Sequence, residues 1–174
     1  MRAHATTARW ARCLALVGAM LPVACYQSDF PLDPEPTADL EVGLLGTWRC
    51  LPLDADGDEP PATLILARGR PRAYAVSWLE EGGATARYEA FGSSLDGVTV
   101  WNVQEQKDTG DGRWVFARHT LPRPSVLHLQ LVPERALEDV PRTRAALRDA
   151  VGRLRTSDSL LQDFCVCARV KGAS

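Results

Sequence analysis

Between Leu44 and Leu131 the chain repeats one pattern seven times: a short run of alternating apolar and polar residues, then a cluster of turn-forming ones. The runs are Leu44–Pro52, Ala62–Ala67, Arg72–Leu79, Thr85–Phe91, Val98–Val103, Trp114–His119 and Ser125–Leu131. Alternation with a period of two places successive side chains on opposite faces of a strand. The breaks are of the kind that ends strands: Gly69-Arg70-Pro71, Glu80–Gly83, the polar loop Lys107–Gly112, and Pro122 with Pro124. Asp96-Gly97, inside the break Ser93–Gly97, is the signature of a type I′ hairpin turn. Short strands at this regular spacing predict an antiparallel sandwich or barrel.

The pattern changes after Leu131. From Pro141 to Arg155, Leu147, Val151 and Leu154 recur at i, i+4 and i+7, which is helical spacing, and Pro141 suits a first turn. Arg142, Arg144, Arg148, Arg153 and Arg155 take the other faces, which predicts a helix laid on the sheet with a solvated basic side. Ser157–Leu161 reads as a short second helix, and Phe164–Val170 returns to alternation as an eighth strand. The expectation is a mainly β chain, an antiparallel eight-stranded barrel, closed or open, with one helix before the last strand. No internal repeat is visible.

The N-terminal residues have a different character. Three of the 20 basic residues (Arg2, Arg9 and Arg12) and none of the 22 acidic ones lie in residues 1–24, so the chain from Cys25 onward is more acidic than the formal total of −2. A chain of this charge is not a nucleic-acid binder. Cys13–Val23 is an apolar run of 11 residues, too short to span a bilayer as a helix but suited to a secretory signal. It ends in Leu21-Pro22-Val23-Ala24-Cys25, which resembles the lipobox of bacterial lipoproteins, with Pro22 where that family usually carries Leu. The resemblance implies cleavage before Cys25, a diacylglyceryl thioether and an N-acyl chain (palmitate or similar) on it, and anchorage through these lipids. Several acyl chains on one residue make such an anchor stable. Tyr26 is not the Asp that retains enteric lipoproteins in the inner membrane, so the resemblance points to the outer membrane, facing the periplasm. Residues 25–41, rich in Pro and acid from Asp29 to Asp39, read as a disordered tether ahead of a barrel domain at 42–174.

Gly46-Thr47-Trp48, opening the first strand just after this tether, resembles the Gly-x-Trp motif of lipocalins. In that fold the Trp lies inside one end of an eight-stranded barrel and a late-strand Arg packs over its indole; the resemblance assigns these parts to Trp48 and Arg169. Trp48 and Cys50 share one side of their strand, and Cys165, Cys167 and Arg169 share one side of theirs, so a closed barrel lets the two sets face each other. The helix departs from the family, whose main helix follows the last strand. The closer likeness is to small bacterial lipoproteins with a lipocalin-like barrel. An oxidising compartment favours a bond from Cys50 to either Cys165 or Cys167, while Cys165 and Cys167 are held apart along one strand.

Candidate chemistry is sparse. Asp54, Asp56, Asp58 and Glu59 surround Gly57, but the spacing does not match a calcium loop, and a solvated turn explains them. His119 and His128 lie in adjacent strands without a nucleophile motif. Glu80, Glu81, Glu89 and Asp96 form no recognisable acid–base pair. Cys165-x-Cys167 lacks the paired spacing of strong zinc signatures. No catalytic residue, metal or cofactor is assigned, and an enzyme is the least favoured class. The aromatic residues of the strands either fill the barrel or line a pocket, and Trp48, Trp78, Tyr88, Trp101 and Arg169 are the candidate ligand contacts. The expected function is a binding module for an apolar or amphipathic small molecule; the alternative is an assembly protein docking another envelope protein.

Overall fold

The computed structural model describes residues 25–53, 60–107, 112–154, 157 and 161–172. The expected signal at 1–24, the acidic turn at 54–59, Arg155 and most of the expected short helix at 157–161 lie outside the described residues.

Eight strands form: β1 (Gly46–Pro52), β2 (Ala62–Arg68), β3 (Ala73–Glu80), β4 (Thr85–Leu95), β5 (Val98–Glu105), β6 (Trp114–Arg123), β7 (Val126–Leu131) and β8 (Gln162–Arg169). Each pairs antiparallel with the next, and β8 returns to β1, so the barrel is closed. The closing register sets Trp48 opposite Arg169 and Cys50 opposite Cys167. Closure pairs every strand on both sides and leaves no open sheet edge.

β4 and β6 outrun the alternation that marks them in the sequence the most. β4 continues through Gly92, Ser93 and Ser94 because their backbones stay in the β5 ladder, opposite Trp101, Val100 and Thr99. The turn there contracts to Asp96-Gly97, both at positive φ as a type I′ turn requires. β6 continues past Pro122, which sits where the β6–β7 register shifts and no regular ladder bond is needed.

The molecule has two apolar layers. The inner one fills the barrel with Trp48, Cys50, Leu64, Leu66, Tyr74, Val76, Ala90, Trp101, Val115, Ala117, Leu127, Leu129, Leu131, Cys165 and Cys167. The outer one lies against the far face of β4, β5 and β6. There Leu95, Val100 and Phe116 meet Leu147, Ala150, Val151 and Leu154 of α1 (Arg144–Leu154). The helix therefore buries the stripe that its sequence spacing marks out. No helix among the described residues is long and apolar enough to cross a membrane.

Residues 25–41 correct the expectation of a disordered tether. They carry almost no regular structure, as their Pro and acid content dictates, yet they are packed along the barrel. Cys25 bridges Pro133 and Ser28 bridges Trp114. Leu32 is fully buried, and its N–H donates to Asn102 Oδ1 at 2.7 Å. Asp33 accepts from Arg148 Nε at 2.9 Å, and the Thr37 and Ala38 N–H groups donate to the Gly92 carbonyl. Tyr26, Phe30 and Leu32 are apolar enough to hold the strap in the outer layer. A Cβ at residue 92 would lie 2.8 Å from the Ala38 Cβ, so glycine there lets the strap approach.

Candidate functional site

The two ends of the barrel differ. Because the strands alternate in direction, one end collects the start of β1, the β2–β3, β4–β5 and β6–β7 turns, and the close of β8. This end is plugged. Residues Glu41–Leu45, including a single 3-10 turn at Val42–Leu44, cross it and are held by barrel side chains. Trp48 Nε1 donates to the Leu44 carbonyl at 2.9 Å. Arg169 donates through Nη1 to the Leu45 carbonyl at 2.9 Å and through Nη2 to the Gly43 carbonyl. Its guanidinium lies 4.1 Å from the centre of the Trp48 ring system, a cation–π contact. Gly46 sits at φ 129°, and a Cβ there would come 3.1 Å from Arg169 Nη1. Both the conformation and the space therefore call for glycine.

Glu41 joins the plug to the barrel twice more. Its N–H donates to the Tyr74 hydroxyl at 2.8 Å, and its Oε1 lies 2.9 Å from His119 Nε2. A carboxylate only accepts, so Nε2 carries the proton, and Nδ1 is left as a buried acceptor without a partner among the described residues. Burial pulls the His119 pKa below its ordinary value, with the Glu41 charge and hydrogen bond acting in the opposite sense. Tyr74, Trp101 and His119 form a row of tilted rings, with centres 5.1 and 4.7 Å apart. Burial, chiefly, pushes the Tyr74 phenol up to about 12.

Trp48, Trp101 and Arg169 therefore belong to the packed and plugged half of the barrel. Their polar and aromatic surfaces are already engaged, and they offer little to a ligand. Open grooves of about 540 and 500 Å³ flank the plug, one along Leu45–Thr47 and Arg169–Gly172, the other beside Glu41, Thr99 and His119.

The opposite end, the mouth, carries the remaining candidates. Trp78 and Tyr88 face inward near the β3–β4 hairpin, with Val103 beside them, all half-buried against the inner core. Phe164 joins them, its ring 5.4 Å from Trp78. The alternation of β8 does not mark Phe164 as inward-facing. It is turned in by an irregularity, where Leu129 pairs with Cys165 but Gln130 pairs with Asp163. Burial pushes the Tyr88 hydroxyl up to about 12, and the charges of Glu105 and Glu80 add to this. The mouth is thus a neutral aromatic rim with two carboxylates near it.

Beneath the rim are three cysteines. Cys50 and Cys167 form a disulfide that joins β1 to β8 across 117 residues of sequence. Cys165 is a free, fully buried thiol whose Sγ lies 3.5 Å from that of Cys167. Burial alone pushes it up to about 12, so it is held as an inert thiol. The three sulfurs all lie within 4.8 Å of one another.

Cys25 is at the mouth end too. It bridges Pro133, two residues past the end of β7, and its own thiol is buried and pushed up to about 11. The histidines take unrelated places. His119 is part of the plugged end, while His128 faces outward from β7 with Nε2 at 2.9 Å from Asp163. Among the described residues, no histidine joins the cysteine cluster. Compared with protein-family models, with curated proteins and with solved structures, the chain matches none of them.

Proposed function

We propose that this is a lipid-anchored protein of the cell envelope, facing the periplasm from the outer membrane, whose barrel mouth takes an apolar or amphipathic ligand. The observation that carries the reading is the rim of Trp78, Tyr88, Val103 and Phe164, half-buried at the end of the barrel opposite the Glu41–Leu45 plug, which no described residue is seen to cross in the same way. Apolar walls with a few polar groups at the edge are what a site for a hydrocarbon chain with a polar head requires. Of the two carboxylates near the Tyr88 hydroxyl, Glu105 is paired with Lys107 Nζ at 3.0 Å, and Glu80 favours a neutral or cationic head over an anionic one.

The anchor supports the same reading. Cys25, the residue that the lipobox-like sequence marks for acylation, sits at the mouth end, and its sulfur lies in the inner apolar layer. Carrying a diacylglyceryl thioether requires the Cys25 side chain, buried here, to turn out of that layer; the anchor then lies beside the rim, with the mouth toward the bilayer. The ligand would then be drawn from the membrane rather than from bulk water. The lipocalin-like motif Gly46-Thr47-Trp48, now seen packed under Arg169, is consistent with a barrel that binds at the end away from its Trp.

The test is mass spectrometry of protein isolated from envelopes. The reading expects acyl mass on Cys25 at a new N terminus and, under native conditions, a co-purifying lipid or metabolite lost on substitution of Trp78. An unmodified terminus at a different residue removes the anchor, and repeated isolation without any ligand removes the binding function.

One observation favours the second reading, an assembly role. Leu51 and Leu53, at the mouth end of β1, are 57% and 43% exposed on the outer surface, where another envelope protein could cover them. Substituting them with Ser would then abolish cross-linking to a partner and leave ligand binding intact.

A further inference from the structure

We infer that Cys50, Cys165 and Cys167 form a three-sulfur site for a soft, thiophilic metal ion, closed by the disulfide and opened by its reduction. Barrel closure, rather than local spacing, assembles the site. Cys165 and Cys167 are alternate residues on the inward side of β8, and the β1–β8 register brings Cys50 opposite Cys167. A metal held at the usual zinc–thiolate distance of about 2.3 Å spaces its sulfurs roughly 4 Å apart. The three sulfurs already fall within 4.8 Å of one another, and the Cys165–Cys167 pair is at 3.5 Å. Only the bonded pair has to separate.

The surroundings select the class of ion. The ligand set is sulfur alone, and among the described residues no histidine or carboxylate joins it. Hard cations need oxygen ligands and are rejected, whereas thiolates select soft ions. Three sulfurs without a fourth protein ligand suit an ion that accepts low coordination. Arg169 follows Cys165 and Cys167 at the next inward position of β8 and places a positive charge along the same face as the thiolates. All three cysteines are fully buried, which keeps water from competing for the metal.

The chemistry balances with a dithiol reductant. Its two sulfurs join to each other, the Cys50–Cys167 bond breaks, and two electrons and two protons pass to give two thiols. A divalent ion entering the site then displaces the three thiol protons to solvent. In the oxidised protein the site offers only Cys165, one buried thiol, which cannot hold the ion. The site therefore reports on redox state: metal-free when oxidised, metal-bound when reduced.

Cadmium(II) is the probe, read by sulfur-to-cadmium charge-transfer absorption and native mass spectrometry. The full chain is compared with and without prior reduction by a phosphine, which is itself not a thiol. The inference expects one ion per reduced chain, loss of three titratable thiols, retained near-ultraviolet circular dichroism and no ion on the oxidised chain. Cys165→Ser keeps the disulfide partners, so the variant folds under oxidising conditions. After reduction it should bind cadmium more weakly by at least the roughly 10- to 100-fold that loss of even an outer-shell partner costs. Cys25→Ser should bind as the wild type does. Equal binding by the oxidised and reduced chains, undiminished binding by Cys165→Ser, or binding accompanied by loss of the folded signal would each overturn it.

Discussion

The guanidinium of Arg169 stacks 4.1 Å over Trp48 while its two terminal nitrogens hold the carbonyls of Gly43 and Leu45. One side chain thus ties the last strand to the first and to the plug that precedes it. Cation–π contacts contribute about 0.5–2 kcal/mol, and hydrogen bonds to a charged group about 1.5–3 kcal/mol. Arg169→Ala is therefore expected to cost about 2–4 kcal/mol in urea unfolding. Arg169→Lys should fall between the two, since an ammonium keeps the charge but not the planar fork. Gly46→Ala should be destabilising for the same reason, because its Cβ enters the space of the guanidinium. Equal stability of all three variants and the wild type would mean that the plug is held by something else.

Acid should loosen the strap and plug in two stages. Burial holds the folded His119 pKa below its ordinary value of 6.5. The unfolded chain then binds the proton first, so this contribution is full above pH 6.5 and is lost as pH falls toward the folded value. Burial acts to raise the Asp33 pKa, but hydrogen bonds from Ser93, Arg148 and Thr37 and the charge of Arg148 outweigh it and hold the group below 3.8. That contribution is full above 3.8 and is lost as pH falls through the folded value. Melting temperature against pH is the measurement. His119→Gln should remove the upper stage alone and Asp33→Asn the lower stage alone; a profile unchanged by both would contradict these assignments.

Asn102 is expected to be the main attachment of the strap. It is fully buried, accepts from the Leu32 N–H, and donates to the Phe91 carbonyl and Ser93 Oγ. Asn102→Ala leaves those groups unpaired, at about 1–3 kcal/mol. Limited proteolysis should then cut within residues 25–41 before the barrel unfolds. Simultaneous loss of strap and barrel would show that the two form one cooperative unit.

How legible this was in the sequence depended on whether a contact is local. The strands were legible because each shows its own alternation, and α1 because Leu147, Val151 and Leu154 recur at helical spacing. Packing of the strap was not, since Pro and acid dominate Asp29–Asp39 while the burial rests on a few residues such as Tyr26 and Leu32. Of the candidate contacts, all five were inward-facing, but parity cannot say which end of a barrel a residue occupies. That separated Trp78 and Tyr88 at the mouth from Trp48, Trp101 and Arg169 at the plugged end. Phe164 was invisible because a register irregularity turns it inward, whereas the cysteine trio was legible from strand parity once β1 and β8 are neighbours, and only the choice of Cys167 over Cys165 as the partner of Cys50 needed the actual register.

Ligand binding at the mouth is tested most directly by titration with a dansyl-labelled medium-chain fatty amine, followed by energy transfer from tryptophan. A saturable one-to-one complex is expected, weakened at least about 10-fold, or 1.4 kcal/mol, by Trp78→Ala or Phe164→Ala. Leu121→Ala, exposed near the plugged end, should leave it unchanged. Non-saturating partition of the probe, or equal affinity in all four proteins, would contradict a binding site at the aromatic rim.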